Sequence, residues 1–278
     1  MNFMKLISIF SSLLVVFKCY AESASLRIVG GQDATPEQLQ SIVRIEIKMN
    51  DISEYICSGS VLSSTWVLTA AHCCDEAPAY NNHTMVIRYK TGFEIPFIND
   101  SFSEVVEVKI HPFFISLDKR NTWISKNDIA LLKTTPMKLD RYRKISAIDY
   151  TVMFGQETIA AGYGITKDSH TNVYDTSSAL NKTLQVEKFL ASKCSLDETI
   201  LLVHPSICLS PRCNERVALC GGDSGGPLLY SSKIVGVLIL SSQIRCGPYV
   251  KVNAEDVDFG VAIPVSPYIQ WIRNTIKL

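Results

Sequence analysis

Cys220-Gly-Gly-Asp-Ser224-Gly-Gly-Pro227 sets one serine among four glycines. Glycine carries no Cβ, so backbone N–H groups in such a run can converge on a single point. Gly222 and Ser224 would then supply two donors to an oxygen that gains negative charge. The same stretch also reads as a tight turn, and the two readings agree, because the turn is how the donors converge. A serine hydroxyl holds its proton too tightly to be a good nucleophile near neutral pH, so it needs a base beside it.

Two upstream segments offer the missing parts. Leu68-Thr-Ala-Ala-His72-Cys73 carries an imidazole, and Asn127-Asp128-Ile-Ala-Leu-Leu132 carries a carboxylate. The imidazole would take the serine proton during attack and return it to the leaving amine. A buried carboxylate would fix the ring tautomer and steady the imidazolium. Taken singly each motif is weak: a His beside a Cys is often structural or a metal ligand, and Asn-Asp is commonly a turn. The order His72, Asp128, Ser224 in one chain reverses that weighing. The rival is a zinc site at His72-Cys73-Cys74, but no second ligand pair with finger-like spacing accompanies it. No metal and no cofactor is expected.

The surroundings of these segments read as short strands. Ser41 to Met49, Ser103 to Ile110 and Leu184 to Phe189 alternate apolar and polar residues. Ser60 to Thr69 and Lys233 to Leu240 are apolar runs of buried-strand length, and clusters of Gly, Pro, Asn and Asp separate them. The fold class is therefore all-β. One helix is expected, at the C-terminus: Ser266 caps it, Pro267 fits its first turn, and Ile269, Ile272 and Ile276 share a face. Lys167 to Ser178 reads as an exposed loop, and Pro136 to Ile148 as a crossing between two halves.

Composition narrows the function. Apolar residues make up 47% of 278, which argues against disorder, and the formal net charge is zero. Neither a nucleic acid nor an anionic membrane is expected as a partner. Lys5, the largely apolar stretch Leu6 to Phe17 and the small-x-small site Cys19-Tyr-Ala21 form a secretory signal over residues 1–21. Lys18 ends the apolar run short of the ~20 residues that a membrane span needs. Removal of Cys19 with the signal turns nine cysteines into eight, an even number suited to disulfides outside the cell. Asn82, Asn99 and Asn181 open glycosylation triplets that fit the same secreted, extracellular compartment.

Together these segments resemble the chymotrypsin/trypsin family of serine endopeptidases. The resemblance runs from Ile28 to the C-terminal helix and includes Arg27-Ile28-Val-Gly-Gly31, Ala161-Gly-Tyr-Gly164 and Tyr268-Ile-Gln-Trp-Ile272. It implies two packed six-stranded antiparallel barrels with a C-terminal α-helix and the triad in the cleft between them. The triad scheme is that family's established mechanism. The resemblance also implies residues 22–27 as an activation propeptide and 28–278 as the peptidase domain. Cleavage after Arg27 would free an Ile28 ammonium to pair with Asp223 and lock the loop that holds Gly222 and Ser224, since a buried charge is tolerated when paired. Implied bridges are Cys57 with Cys73, Cys194 with Cys208, and Cys220 with Cys246. Cys74 and Cys213 have no family partner; they are open to pairing, to staying free, or to bridging another chain. Expected partners are protein or peptide substrates, an activating trypsin-like protease and proteinaceous inhibitors.

The substrate pocket departs from the family pattern. Ala218 stands at the pocket base, where a trypsin-like enzyme has an aspartate, and Leu219 follows it. Ile239-Leu240-Ser241 stands where the family usually reads Ser-Trp-Gly, so Ser241 narrows the entrance while Gly260 keeps the opposite wall open. The lining is apolar, and an apolar substrate residue before the scissile bond is expected. Glu215 or Asp258, brought in by altered loops, would overturn that. The alternative function is a catalytically weak or inactive relative acting as a secreted binding protein, and a fluorophosphonate probe distinguishes the two.

Overall fold

The computed structural model describes residues 32–35, 41–49, 52–75, 83–90, 100–116, 126–139, 141–164, 184–194, 205–212, 217–241 and 260–277. After a short β1 (Gln32–Asp33) come β2 (Ile42–Met49), β3 (Ile52–Ser63), β4 (Trp66–Thr69), β5 (Thr84–Lys90), β6 (Asp100–Ile110) and β7 (Ala130–Thr134). Strands β2-β3-β4-β7-β6-β5 close into one antiparallel barrel. The second barrel comprises β8 (Glu157–Gly162), β9 (Gln185–Ser192), β10 (Ile207–Ser210), β11 (Pro227–Tyr230), β12 (Lys233–Ser241) and β13 (Gly260–Pro264). Its order is β9-β10-β13-β12-β11-β8, and β8 pairs back onto β9 to close it. β1 adds to the outside of β9, with Gln32 opposite Val186.

Burial alternates most cleanly in β9, but out of phase with the apolar–polar reading: Gln185 and Glu187 are buried with Phe189 and Ala191, while Val186 is half-buried and Leu190 is exposed. In β2 the alternation is present but two of its polar members, Arg44 and Glu46, are buried too. Arg44 and Glu46 pair at 3.0 Å, and Arg88 reaches the same carboxylate at 2.9 and 3.0 Å. A buried carboxylate needs such partners.

Two expectations require correction. The run Ser60 to Thr69 is not one strand: β3 ends at Ser63, Ser64 and Thr65 turn, and β4 begins at Trp66. The Ser63 hydroxyl accepts from Thr65 N–H at 3.3 Å, a local bond that competes with extended pairing. At the C-terminus, Ser266 caps nothing. A 3₁₀ turn over Ser266–Tyr268 precedes the helix Ile269–Ile276, and neither start makes a side-chain cap bond. Pro267 lies in that first turn, and Ile272 is the buried residue of the helical face, with Ile269 and Ile276 half-buried beside it. No helix among the described residues is long and apolar enough to cross a membrane.

The connection after β7 ties the barrels together: Arg143 N–H bonds Val61 O and Ser146 N–H bonds Ile234 O, both at 2.8 Å. One hydrophobic cluster joins Val43, Leu68 and Leu132 of the first barrel to Ile234 and Ile263 of the second and to Tyr268 ahead of the C-terminal helix. The stretch Lys167 to Ser178, the glycosylation asparagines, and the Arg27-Ile28 junction lie outside the described residues.

Candidate active site

His72 opens a short helix, α1 (His72–Asp75), directly after β4 and the fully buried Ala70 and Ala71. The Cys57–Cys73 disulfide fastens this segment to β3. Asp128 arrives from the other side, just before β7. Asn127 takes a left-handed φ of 51°, and Ile129 N–H folds back onto the Asn127 carbonyl at 2.8 Å, turning Asp128 inward to 1% exposure. Asn127 is itself held at both ends of its amide: Nδ2–H donates to Phe113 O at 2.7 Å and Oδ1 accepts from Tyr268 Oη at 2.9 Å. The sequence marked Asn127 only as the neighbour of Asp128, and nothing in the pattern showed the Tyr268 tether.

Asp128 accepts from His72 twice. Its Oδ2 lies 2.7 Å from Nδ1, and its Oδ1 lies 2.8 Å from the backbone N–H. A carboxylate facing Nδ1 requires the proton there, which leaves Nε2 as the basic nitrogen of the neutral ring. Burial is the largest influence on the imidazole and opposes its charged form, but the bond to Asp128 and that carboxylate's charge outweigh it. The His72 pKa is raised above its ordinary 6.5.

The serine loop is a sequence of tight turns: Asp223 N–H bonds Cys220 O, and Gly226 N–H bonds Asp223 O, each at 3.0 Å. Asp223 is 1% exposed, and its carboxylate accepts from Gly164 N–H at 2.8 Å and from Cys220 N–H at 2.9 Å. A Cβ on Gly164 would sit 2.5 Å from the Asp223 carboxyl, which explains the glycine in Ala161-Gly-Tyr-Gly164. Ser224 is half-buried, and its carbonyl accepts from Ser58 N–H at 2.8 Å. The loop lies against the histidine segment: a side chain on Gly225 would run into Thr69 Oγ1 and meet Ala70 N. No hydrogen bond joins Ser224 Oγ to His72 Nε2 here; Nε2 lies 3.7 Å from Cys73 Sγ.

The bridges Cys57–Cys73 and Cys194–Cys208 are formed. Cys220 is disulfide-bonded, and Cys246, its partner by resemblance, lies outside the described residues, as does Cys213. Cys74 is a free, buried thiol, which decides between the alternatives left open for it. Burial first, then the charges of Asp128 and Asp75, push it up to about 12. The Cys57 and Cys73 sulfurs come within 4.8 Å of a His72 ring nitrogen, but both are committed to a disulfide and neither is a thiolate that zinc could take.

In the pocket region Ala218 and Leu219 are buried at 5% and 3% exposure. Ser241 stands directly opposite Gly260 in the β12–β13 ladder, with a register shift between Leu238 and Leu240 that makes Ile239 the extra residue. The room left by Gly260 is taken by the protein itself, since a Cβ there would lie 2.5 Å from Leu219 Cδ1. Glu215 and Asp258 lie outside the described residues.

Two closed antiparallel barrels, one bearing a carboxylate-held histidine and the other a glycine-flanked serine, form the chymotrypsin-like architecture. A model of the trypsin family matches residues 28–272. A serine protease of Scolopendra subspinipes is 26% identical, over 90% of this chain and 84% of its own length. Anionic trypsin of Canis lupus familiaris is 26% identical over 90% of each. The solved structure of neuropsin, a serine protease from mouse brain, superposes with a TM-score of 0.64 at 20% identity, covering 88% of this chain and 98% of that one, and supports the fold. The chain belongs to the trypsin family and is a serine endopeptidase of the chymotrypsin type.

Proposed function

We propose that the chain is a secreted endopeptidase, made as a precursor and activated by cleavage after Arg27, that hydrolyses peptide bonds through Ser224, His72 and Asp128. The observation that carries this reading is the two-point bond between Asp128 and His72. Ser224 Oγ attacks the scissile carbonyl while His72 Nε2 takes its proton; the same proton then goes to the leaving amine. Gly222 and Ser224 N–H groups receive the oxyanion. Catalytic hydrogen bonds are often long in free enzymes and tighten with substrate, so the Ser224–His72 bond is expected to form in the complex. The Asp223 carboxylate receives the Ile28 ammonium after cleavage.

Substrate choice follows from cost. A Lys or Arg side chain buried against Ala218 and Leu219 would lose its hydration without a paired carboxylate. An apolar side chain gains from burial instead. Because Leu219 occupies the space beside Gly260, the pocket suits an alanine- or valine-sized residue better than phenylalanine. That same packing favours the second reading, a secreted binding protein with weak or no catalysis. Active-site labelling by a fluorophosphonate, compared between cleaved wild type and Ser224→Ala, tests the two against each other.

A further inference from the structure

Ser58, on β3 of the first barrel, touches the carbonyl oxygens of both residues that would form the oxyanion hole. Its N–H donates to Ser224 O at 2.8 Å, and its hydroxyl donates to Gly222 O at 3.0 Å. The Tyr55 hydroxyl donates to the same Gly222 carbonyl and lies 2.9 Å from Ser58 Oγ. A carbonyl oxygen has two lone pairs, so it can accept both hydroxyls, and Ser58 Oγ accepts in turn from Tyr163 N–H at 3.0 Å. Both side chains have a donor's proton committed and none is left over.

We propose that Tyr55 and Ser58 are positioning residues that hold the Gly222–Asp223 peptide and through it the direction of the Gly222 N–H group; the proposal rests on the endopeptidase reading above. Gly222 has φ +97°, a region that glycine enters freely and leaves as freely, so its peptides need an external hold. The Gly222–Asp223 peptide is held at both ends: its oxygen by the two hydroxyls, its N–H by Cys220 O at 3.0 Å. Rotation about the Gly222 φ and ψ then sets where the preceding N–H points. The Tyr55 ring limits that rotation, because its Cε1 lies 2.5 Å from where a Cβ on Gly222 would be. The ring is held in turn by the Arg44 guanidinium, 5.3 Å from its centroid. Burial first, and the charge of Asp223 next, keep the Tyr55 hydroxyl protonated well past its ordinary range, so it remains a donor. A donor held in place before charge develops stabilises that charge without reorganising.

Tyr55→Phe removes one hydroxyl and keeps the ring against Gly222 and Arg44. In cleaved enzyme it should lower kcat about tenfold, short of the ~10²–10³ lost when a donor is deleted outright. KM and the affinity of a cleaved product peptide should stay within about twofold, while the affinity of a peptide aldehyde, whose adduct carries the oxyanion, should fall with kcat. Ser58→Ala should do the same more strongly, with a lower Tm because it strips Tyr163 N–H of its acceptor. Wild-type kcat and aldehyde affinity in Tyr55→Phe would overturn the proposal, and so would equal losses of aldehyde and product binding. If wild type itself shows no turnover, the endopeptidase reading fails separately. The clamp is then judged on the Gly222 amide resonance, which should be single in wild type and doubled or broadened in Tyr55→Phe; an unchanged resonance would overturn it.

Discussion

Asp128 grips His72 through both carboxylate oxygens, one on the ring at 2.7 Å and one on the backbone N–H at 2.8 Å. The second bond fixes where the residue starts and the first fixes how its ring is turned and which nitrogen carries the proton. In Asp128→Asn the amide would present a donor to Nδ1 and reverse the tautomer. We expect kcat to fall by about 10⁴, the magnitude established for this change in the family's type enzyme, with the fold retained. Steady-state kinetics and a melting curve on the purified variant check it.

The pH profile follows from the same pair. In the proposed mechanism the base works only as neutral imidazole, and Asp128 raises the His72 pKa above 6.5. Activity should therefore fall as pH drops through that raised value, giving one ascending limb of kcat/KM centred above 6.5. The linkage to stability has the opposite sense. Because the folded pKa is raised, the His72–Asp128 interaction contributes stability fully below the unfolded value and loses it as pH rises through the folded value. Removing the carboxylate leaves burial alone acting on the ring, so any residual limb in Asp128→Asn should move to lower pH.

Cys74 should be inert in the folded protein. A buried thiol pushed up to about 12 is almost wholly protonated at pH 7.5, and only the thiolate reacts. Iodoacetamide should leave the Cys74 peptide unmodified under native conditions and alkylate it after denaturation without reductant. Mass spectrometry of the digested protein reads the result, and native labelling at Cys74 would contradict the burial.

Leu219→Ala should enlarge the pocket beside Gly260. We expect kcat/KM to shift towards leucine and phenylalanine before the scissile bond, relative to alanine and valine. The cost should be about 2–5 kcal/mol of stability, as for other large-to-small core changes. A peptide library profiled with both enzymes measures the shift. A dominant Lys or Arg preference in wild type would show that another carboxylate reaches the pocket.

Much of the candidate site was legible because its parts are local in sequence. His72, Asp128 and Ser224 each sit in a short distinctive segment, and the glycines beside Ser224 announce a backbone that must come close to something. Alternation located β9 but not its buried face, because Gln185 and Glu187 are buried there, and the apolar run Lys233 to Leu240 located β12. Ser60 to Thr69 misled because a two-residue turn of Ser64 and Thr65 sits within a run of strand-forming residues. Ser266 misled because a 3₁₀ turn begins where a capped helix was expected. Tyr55 and Ser58 were invisible for a different reason. They lie 167 and 164 residues from Gly222, on the other barrel, and no periodicity reports a bond across a domain junction. Leu219 reads as pocket lining in the sequence, and only packing shows that it fills the space beside Gly260.

In the proposed mechanism Ser224 is a nucleophile activated by His72. The direct measurement is fluorophosphonate labelling of protein cleaved after Arg27, with the modified residue identified by mass spectrometry. We expect stoichiometric labelling at Ser224, lost in Ser224→Ala and His72→Ala and nearly absent in the uncleaved Arg27→Gln precursor. Cleaved, folded wild type that takes up no label, or takes it up at another residue, would contradict it.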